Sequence, residues 1–274
     1  MSQNFELPFI PERPLKPRDT GVTMVMDKGL SLREAENFIE SGAHLVDVMK
    51  LGFGTAFVTP FLKEKIKLYH EAGLKVYFGG TLFESFIVRG LYEDYKRLLD
   101  KYDMQTVEVS DGSINLPTAD KLHYISDLAK NYTVLSEVGS KEEGIIISPG
   151  KWIKLMNMEL EAGSWKVIAE ARESGNVGIY RANGSAHTLL VNKILNKVKS
   201  EDILWEAPQK PQQVWFIKML GSNVNLGNIG PGEVISLETL RLGLRGDTFF
   251  TFLPEEFQKK KLRPSPNKMF FKKS

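Results

Sequence analysis

The residues of this chain with the clearest chemical potential are glutamates at the ends of apolar segments. Glu137, Glu170 and Glu206 each end a β-preferring segment, and Glu108 lies two residues before the end of another. If these segments are neighbouring parallel strands, the four carboxylates share one mouth. Clustered carboxylates repel one another unless a cation lies among them, and an oxygen-only set suits Mg²⁺ better than zinc. Alternatively, each glutamate forms a structural ion pair with a lysine or arginine, an interpretation that fits Glu108 best.

Basic residues fall at the same predicted mouth. Lys28 and Lys50 lie at segment ends, directly before glycine-containing turns. Fixed cations at such positions indicate an anionic substrate. The glycine-containing stretches at residues 79–81 and 230–232 offer backbone N–H groups and helix N-termini to a phosphate. The other basic residues expected near this mouth are Lys141, Arg172, Arg241 and Arg245.

Several functional classes lack the residues that they need. The chain has no cysteine, which excludes disulfides, thiolate metal sites and a cysteine nucleophile. Its four histidines fall at a predicted strand start or on predicted helices, so they predict neither a zinc triad nor a serine-hydrolase arrangement. No Walker loop, G-x-S-x-G or G-x-G-x-x-G motif follows a predicted strand. Hydrolases and nucleotide-dependent enzymes are therefore disfavoured.

Eight strand–helix units are predicted to position these residues. Ser31 opens a capping box before the first helix, Thr59 and Pro60 start the second, Thr118 caps a later one, and another begins near Pro149. Strands and helices alternating in this number predict a single-domain (β/α)8 TIM barrel, with a doubly wound open sheet as the weaker alternative. The strands are predicted at residues 22–26, 45–50, 74–78, 106–110, 132–138, 167–170, 203–206 and 224–226.

The barrel is predicted to span residues 21–253, between two segments of different composition. Proline at every third position from Pro8 to Pro17 predicts an extended strap over residues 1–20. Residues 254–274 carry seven basic side chains against two acidic ones, which predicts a basic, disordered tail. Nucleic acid could bind such a tail, but a solvated terminus accounts for it, so we expect no nucleic-acid partner. Because no apolar run has the length of a membrane span or the form of a secretory signal, we expect a cytoplasmic protein without membrane association.

Many separate blocks of the chain resemble the phosphosulfolactate synthase family. Asp27-Lys28-Gly29 and Glu170-Ala171-Arg172-Glu173-Ser174-Gly175 are two of them, and the blocks keep their order and spacing from about residue 16 to residue 252. The blocks lie at residues 16–18, 27–29, 50–55, 79–84, 108–112, 137–139, 170–175, 206–208, 223–226, 236–241 and 243–249.

The resemblance implies a Mg²⁺-dependent (β/α)8 lyase that adds sulfite to phosphoenolpyruvate and gives (2R)-phospho-3-sulfolactate. Such enzymes serve coenzyme M synthesis in methanogens and sulfolactate synthesis in bacteria. Lys141 matches the family's lysine that is expected to act as general acid, and Lys50 and Arg172 complete the implied catalytic set. The implied metal ligands are Glu137, Glu170, Glu206 and Asp27. The implied substrate-binding residues are Lys28, Gly80, Thr81, Ser110, Asn225 and Asn228.

Two other functions stay open from the sequence. Plant relatives are linked to heat tolerance, so the same fold could belong to a stress-related or interaction protein without this activity. A different barrel enzyme acting on a phosphorylated enolic substrate is the second alternative. Residues 142–150 differ from the charged segment expected there, and their three isoleucines indicate a lid or an oligomer contact. We expect a homo-oligomer that takes phosphoenolpyruvate and sulfite as its small-molecule partners.

Overall fold

The structure is a computed structural model that describes residues 4–139, 148–171, 175–176 and 178–258. Strands and helices alternate along the described chain. The strands are β1 (Thr23–Asp27), β2 (Val48–Leu51), β3 (Lys75–Phe78), β4 (Thr106–Val109), β5 (Thr133–Val138), β6 (Ser164–Ala169), β7 (Ile203–Glu206) and β8 (Leu226–Ile229). The helices are α1 (Leu32–Gly42), α2 (Leu62–Glu71), α3 (Gly80–Ile87), α4 (Tyr92–Lys101), α5 (Thr118–Leu128), α6 (Pro149–Glu161), α7 (Thr188–Leu195), α8 (Lys210–Leu220), α9 (Val234–Arg241) and α10 (Glu255–Gln258).

The eight strands form one parallel sheet that is almost closed on itself. Their order is β3-β2-β1-β8-β7-β6-β5-β4, and the outermost strands in this order, β3 and β4, lie beside each other. The single-domain (β/α)8 TIM barrel predicted from the sequence is therefore confirmed, and the open-sheet alternative is wrong. Because all strands run in the same direction, their C-terminal ends meet at one end of the barrel.

Side chains inside the barrel change from apolar to charged along the strands. A buried apolar layer fills the interior, and the alternate strand positions pack outward against the helices in a second core. Inward positions recur at every second residue of a strand. The residue two positions after an inward apolar residue therefore also points into the barrel, and in four places this residue is charged. The four pairs are Val48 and Lys50, Leu135 and Glu137, Ile168 and Glu170, and Leu204 and Glu206.

The residues that predict helix starts agree with the structure at some helices and not at others. The capping box at Ser31 and the helix start at Pro149 are both confirmed. The start at Thr59 and Pro60 is wrong, since α2 begins at Leu62 after Phe61, and the Thr59 hydroxyl donates to the Thr55 carbonyl instead. Helix α3 begins at Gly80, where the glycines at residues 79–81 predict a phosphate-binding loop instead of a helix. The eighth strand begins later than expected and includes Asn228.

The N-terminal end of the barrel is closed by a group of buried ions that we call the basal cluster (Arg13, Arg18, Asp47, Glu238 and Arg241). Arg13 Nε lies 2.9 Å from Glu238 Oε1, and Arg18 donates to both carboxylate oxygens of Asp47 at 2.9–3.1 Å. The Arg241 guanidinium donates to three backbone carbonyls. Arg13 and Arg18 belong to the predicted strap, so residues before β1 contact this end.

The C-terminal segment is described as far as α10. The Phe257 ring of α10 lies 5.4 Å from the Phe9 ring, which joins the two ends of the described chain. The basic residues predicted to form a tail lie beyond residue 258, outside the described residues. None of the helices in the described part of the chain has the length and apolarity that crossing a bilayer requires.

Candidate active site

A cavity of about 340 Å³ opens at the C-terminal end of the barrel. Its walls are strand ends and the turns that follow them. Four lining side chains are glutamates and one is a lysine, and all five are buried. The described lining residues are Met26, Lys50, Phe53, Gly79, Gly80, Thr81, Glu108, Ser113, Glu137, Glu170, Ala171, Glu206 and Asn228.

Lys50 lies among the carboxylates. Its Nζ is 2.9 Å from Glu108 Oε2, 3.5 Å from Glu206 Oε1 and 3.7 Å from Glu137 Oε2. The second oxygen of Glu206 accepts a hydrogen bond from the Ala171 N–H at 2.8 Å, which fixes this carboxylate against the turn after β6. One ammonium therefore serves three buried carboxylates.

Burial and the neighbouring charges shift the pKa values of Lys50 and Glu206. Burial by itself lowers the pKa of Lys50, but the carboxylates of Glu108, Glu206 and Glu137 outweigh it and raise the pKa above its ordinary value. Burial raises the pKa of Glu206 to about 7, Lys50 opposes the shift, and Glu137 and Glu108 add to it. Burial is therefore the main reason that Glu206 binds a proton more readily than an exposed carboxyl, and the neighbouring carboxylates add to the effect.

Glu108 joins the cavity as well as forming an ion pair. The sequence assigned it to a structural pair, and it does pair with Lys50, yet it also lines the cavity. Its Oε1 accepts the Gly80 N–H at 2.6 Å, at the first residue of α3. The backbone donor that the sequence offered to a phosphate at Gly80 is therefore occupied by a carboxylate. Thr81, the next residue, lines the cavity as expected for a substrate-binding residue.

Ser110 is directed away from the cavity by a second buried acid. Its hydroxyl donates to Glu84 Oε1, and Glu84 also accepts the N–H groups of Gly112 and Ser113 at 3.0 and 2.9 Å. Ser110 is not among the lining residues, but Ser113 is. The expected contact of Ser110 with substrate is thus replaced by a role in shaping the loop after β4.

Asp27 is fully engaged by the protein and does not line the cavity. Its Oδ1 accepts the Gly29 and Leu30 N–H groups at 2.8 and 2.7 Å, and its Oδ2 contacts Lys65 Nζ at 2.8 Å and the Tyr69 hydroxyl at 3.0 Å. Four donors occupy the carboxylate, so Asp27 lies apart from the three glutamates that were expected to bind metal with it.

Lys28, the next residue, is exposed beside the mouth of the cavity. Its Nζ lies 5.9 Å from the centre of the Phe53 ring, and Phe53 lines the cavity. Sequence reasoning missed Phe53, although its place between two glycines directly after a strand was a usable signal. The backbone of Phe53 is in the left-handed region at φ 54°, which an aromatic residue rarely adopts.

The two asparagines predicted to bind substrate lie at opposite ends of the barrel. Asn228 lines the cavity, and its Oδ1 is buried without a hydrogen-bond partner among the described residues. Asn225 precedes β8, where it accepts the Val22 N–H at 3.0 Å and donates to two carbonyls near the start of β7. Asn225 is therefore structural, contrary to expectation, and Arg241 of the basal cluster is likewise not at the mouth.

Two predicted catalytic residues, Lys141 and Arg172, lie outside the described residues. The chain leading to each is described: Glu137 and Glu170 line the cavity a few residues earlier. A Cβ on Gly139 would lie 2.6 Å from the Glu170 Cβ, so the glycine after β5 makes room for this glutamate. No histidine is among the described lining residues.

The donor chemistry of the cavity fits a hard divalent cation. All candidate ligand atoms are oxygens, the charge of the described lining is negative, and the buried Asn228 Oδ1 has no described partner. No group of three or more Asp, Glu or His side chains within the described ranges is assembled around a point that could hold an ion. The contacts that Lys50 makes with three of the glutamates account for this, because they direct those carboxylates at an ammonium.

Comparison with known proteins assigns the chain to a family. Residues 11–247 match the family model of (2R)-phospho-3-sulfolactate synthase. The chain is 38% identical over 244 residues to the phosphosulfolactate synthase of Bacillus subtilis, with 88% of this chain and 97% of that protein covered. It is 40% identical over 244 residues to that of Methanothermobacter thermautotrophicus, with 87% and 95% covered.

Solved structures agree on the fold. The 3-hexulose-6-phosphate synthase of Salmonella typhimurium superposes with a TM-score of 0.54 at 16% identity, covering 82% of this chain and all of that one. The match to the family model extends over nearly the whole barrel, and two relatives of the same name cover most of the chain. The chain therefore belongs to the (2R)-phospho-3-sulfolactate synthase family and is an enzyme of the lyase type.

Proposed function

We propose that this chain catalyses the Mg²⁺-dependent addition of sulfite to phosphoenolpyruvate, giving (2R)-phospho-3-sulfolactate. The observation that carries the proposal is the cavity of four buried glutamates around Lys50 at the C-terminal end of the barrel. Active sites of this fold lie at that end. The activity named for the relatives requires a site that tolerates several negative charges at once, and a cation-binding cavity provides it.

Glu137, Glu170 and Glu206 would hold the ion, with the amide oxygen of Asn228 as a further ligand. When bound, Mg²⁺ supplies positive charge against the negative charge that develops on the substrate carboxylate. Lys50 contributes a second, fixed positive charge, and its raised pKa keeps it protonated at neutral pH. The side chains of this chain thus bind the substrate and stabilise its charge before any bond changes.

The proton and bond changes balance without a redox partner. The sulfur lone pair of sulfite forms a bond to the methylene carbon of phosphoenolpyruvate while the C=C π bond breaks. The π electron pair moves onto the neighbouring carbon and its carboxylate, and that carbon then gains one proton. In this proposal Lys141 donates that proton, since a lysine is protonated at neutral pH and needs only the right position. Arg172 and Lys28 bind the sulfite and phosphate groups. The proton lost by Lys141 is restored from solvent after the product leaves.

The charge pattern of the cavity also weighs against a non-enzymatic role. A purely structural use of the glutamates would give each a matched cation, as in the basal cluster. Instead, three of them contact the same lysine, and one has a raised pKa. A different enolic phosphate as substrate is the remaining alternative, and phosphoenolpyruvate binding without sulfite turnover would identify it.

The proposal is tested with purified protein, phosphoenolpyruvate, sulfite and Mg²⁺, following product by phosphorus NMR and mass spectrometry. We expect phosphosulfolactate to form, EDTA to abolish its formation, and Lys141→Ala to reduce it at least about 100-fold, as for loss of a general acid. Lys151→Ala, an exposed lysine on α6, is the matched control and should have no effect. Absence of product with folded protein and added metal would contradict the proposal.

A homo-oligomer and a cytoplasmic location remain predictions of this proposal. Light scattering coupled to gel filtration gives the subunit number directly. A monomer at micromolar concentration would contradict the predicted homo-oligomer but not the proposed reaction.

A further inference from the structure

A buried network joins helix α2 to the end of β1, just below the mouth of the cavity. Asp27 Oδ2 contacts Lys65 Nζ at 2.8 Å and accepts the Tyr69 hydroxyl at 3.0 Å. Lys65 Nζ also donates to the Leu30 carbonyl at 2.8 Å. The exposed fractions of Asp27, Lys65 and Tyr69 are 0%, 1% and 0%. Three polar side chains have thus been removed from water together, at a position that does not line the cavity.

The network fixes the turn after β1. Asp27 Oδ1 accepts the N–H groups of Gly29 and Leu30, and Lys65 Nζ bridges Asp27 Oδ2 and the Leu30 carbonyl. The backbone of Gly29 and Leu30 is therefore hydrogen-bonded to Asp27 and Lys65, and these two side chains also contact each other. Lys28 is an exposed residue inside this turn, so the network beneath the turn holds the position of its Cα.

The same aspartate connects to the second loop at the mouth. Its backbone carbonyl accepts the Gly52 N–H at 3.0 Å, and a Cβ on Gly52 would lie 2.9 Å from the Met26 side chain. Phe53, the next residue, lines the cavity, and its ring lies 5.9 Å from Lys28 Nζ, within the range of a cation–π contact. Asp27 thus holds the two loops whose side chains, Lys28 and Phe53, meet beside the opening.

A cation at this place has a clear electrostatic use. The described lining carries four carboxylates and one ammonium, so an anionic substrate meets net negative charge on its way in. An exposed lysine held beside the mouth counteracts this repulsion and offers a partner to a phosphate that stays near solvent. The benefit depends on position, because the field of a solvated charge is screened within about 8–10 Å.

We propose that Lys65 and Tyr69 are positioning residues that act through Asp27 to hold Lys28 at the mouth, where it binds the phosphate of the substrate. The inference rests on the proposed function for the identity of the substrate. In this proposal Asp27 supports anion binding indirectly, by positioning Lys28, and it is not a metal ligand. A network that served stability alone would not change substrate affinity in protein that remains folded.

The mildest probe is Tyr69→Phe, which removes one hydrogen bond to Asp27 and keeps the ring that packs against Phe38. We expect KM for phosphoenolpyruvate to rise about 3- to 10-fold while kcat changes less than about 2-fold, since ground-state binding is what is lost. Lys65→Met should raise KM further, and Lys65→Arg should restore part of it. Lys67→Met, an exposed position on the same helix, is the control and should leave both constants unchanged.

A double-mutant cycle separates positioning from stability. In the Lys28→Ala background, Tyr69→Phe should have no further effect on KM, because the group being positioned is gone. If Tyr69→Phe raises KM equally with and without Lys28, or leaves KM unchanged in wild-type protein, the proposal is overturned. Should Lys65→Met fail to fold, the tyrosine cycle alone decides.

Metal binding provides a readout independent of turnover. Asp27→Asn should bind Mg²⁺ in calorimetry with unchanged affinity, whereas loss of binding would make Asp27 a ligand and refute this assignment. Calorimetric titration with phosphoenolpyruvate measures its affinity for each protein of the Tyr69→Phe and Lys28→Ala cycle, and this measurement does not require turnover. Wild-type protein that binds phosphoenolpyruvate but makes no product would refute the proposed function only. Wild-type protein that is active, with Tyr69→Phe unaltered in KM, would refute this inference only.

Discussion

The two ends of this barrel bury charge in opposite ways. At the N-terminal end, the basal cluster gives each acid a dedicated arginine: Arg13 faces Glu238, and Arg18 grips Asp47 with two nitrogens. At the C-terminal end, Glu108, Glu137 and Glu206 all contact Lys50. At the N-terminal end each acid of the basal cluster has its own arginine. At the C-terminal end the described lining residues include more acids than bases.

The difference separates stability from function. Burying ions is unfavourable unless each finds a partner of good geometry, and removal of one partner from a matched pair leaves a buried charge. A group of buried carboxylates that share one lysine is therefore expected where another ligand completes the group or where its reactivity is used. We expect mutations at the basal end to change the free energy of unfolding and mutations at the mouth to change turnover.

The largest expected effect is at the mouth. Glu206→Gln removes a charge from the cluster but keeps an oxygen for the Ala171 N–H. We expect kcat/KM to fall about 1000-fold, equivalent to about 4 kcal/mol, because the site loses part of its hold on the cation. Thermal unfolding without added Mg²⁺ should occur at the same or a higher temperature, since repulsion from Glu137 is relieved. A lower melting temperature with retained activity would reverse the comparison.

At the basal end the expected result is the opposite. Asp47→Asn leaves the buried Arg18 charge unpaired, so we expect the free energy of unfolding in urea to fall by about 3 kcal/mol. Turnover per folded molecule should stay within about 2-fold, because this end is remote from the mouth. Glu36→Gln, which breaks the exposed pair with Arg33, is the control and should change stability by less than about 0.5 kcal/mol. Loss of turnover in folded Asp47→Asn protein would show that the two ends are coupled.

A glycine at the mouth gives a smaller effect that touches both properties. A Cβ on Gly80 would clash first with Ser110 Oγ, and it would lie 2.6 Å from Glu108 Oε1 and 2.6 Å from the Ser110 Cβ. Gly80→Ala must therefore displace both the Ser110 side chain and the carboxylate that pairs with Lys50. We expect stability to fall by about 1–3 kcal/mol and kcat/KM to fall about 10-fold. Gly232→Ala lies in open space after β8 and should be silent in both assays. Equal effects of the two substitutions would mean that crowding at Glu108 is irrelevant.

Much of the fold was predictable from the sequence because the alternation of strands and helices is repeated along the chain. Apolar segments ending in polar residues recurred eight times, and the capping box at Ser31 and the proline at Pro149 marked true helix starts. The signals failed where backbone geometry departed from the usual. Phe61 precedes α2 with a left-handed backbone at φ 54° and no capping side chain, so nothing in its residue type marked the helix start.

The site was predictable only as far as strand positions determine it. Glu137, Glu170 and Glu206 follow apolar inward positions by two residues, so their convergence came from the period of a strand. Partners across the barrel could not be read in this way. That Asp27 would be occupied by Lys65 and Tyr69 depends on how α2 packs, and that Asn225 would lie at the basal end depends on where β8 begins.

The smallest effect is expected outside both ends, on the helical surface. Asp127 of α5 accepts hydrogen bonds from Lys130, Tyr92 and Lys96 at 2.9–3.4 Å, and these donors, Lys130 first, lower its pKa to about 2. A carboxyl with a depressed pKa stabilises the fold above its ordinary value near pH 4, and the contribution disappears as the pH falls through about 2. Because solvent screens this half-buried group, Asp127→Asn should lower the free energy of unfolding by roughly 0.5 kcal/mol at neutral pH. Urea unfolding of both proteins from pH 7 down to pH 3 should show the gap narrowing below about pH 4 while kcat/KM stays unchanged. If the difference in the free energy of unfolding widened with acid, the stabilisation would come from something other than this ionised carboxylate. A difference as large as that of Asp47→Asn would remove the distinction between buried and more exposed pairs.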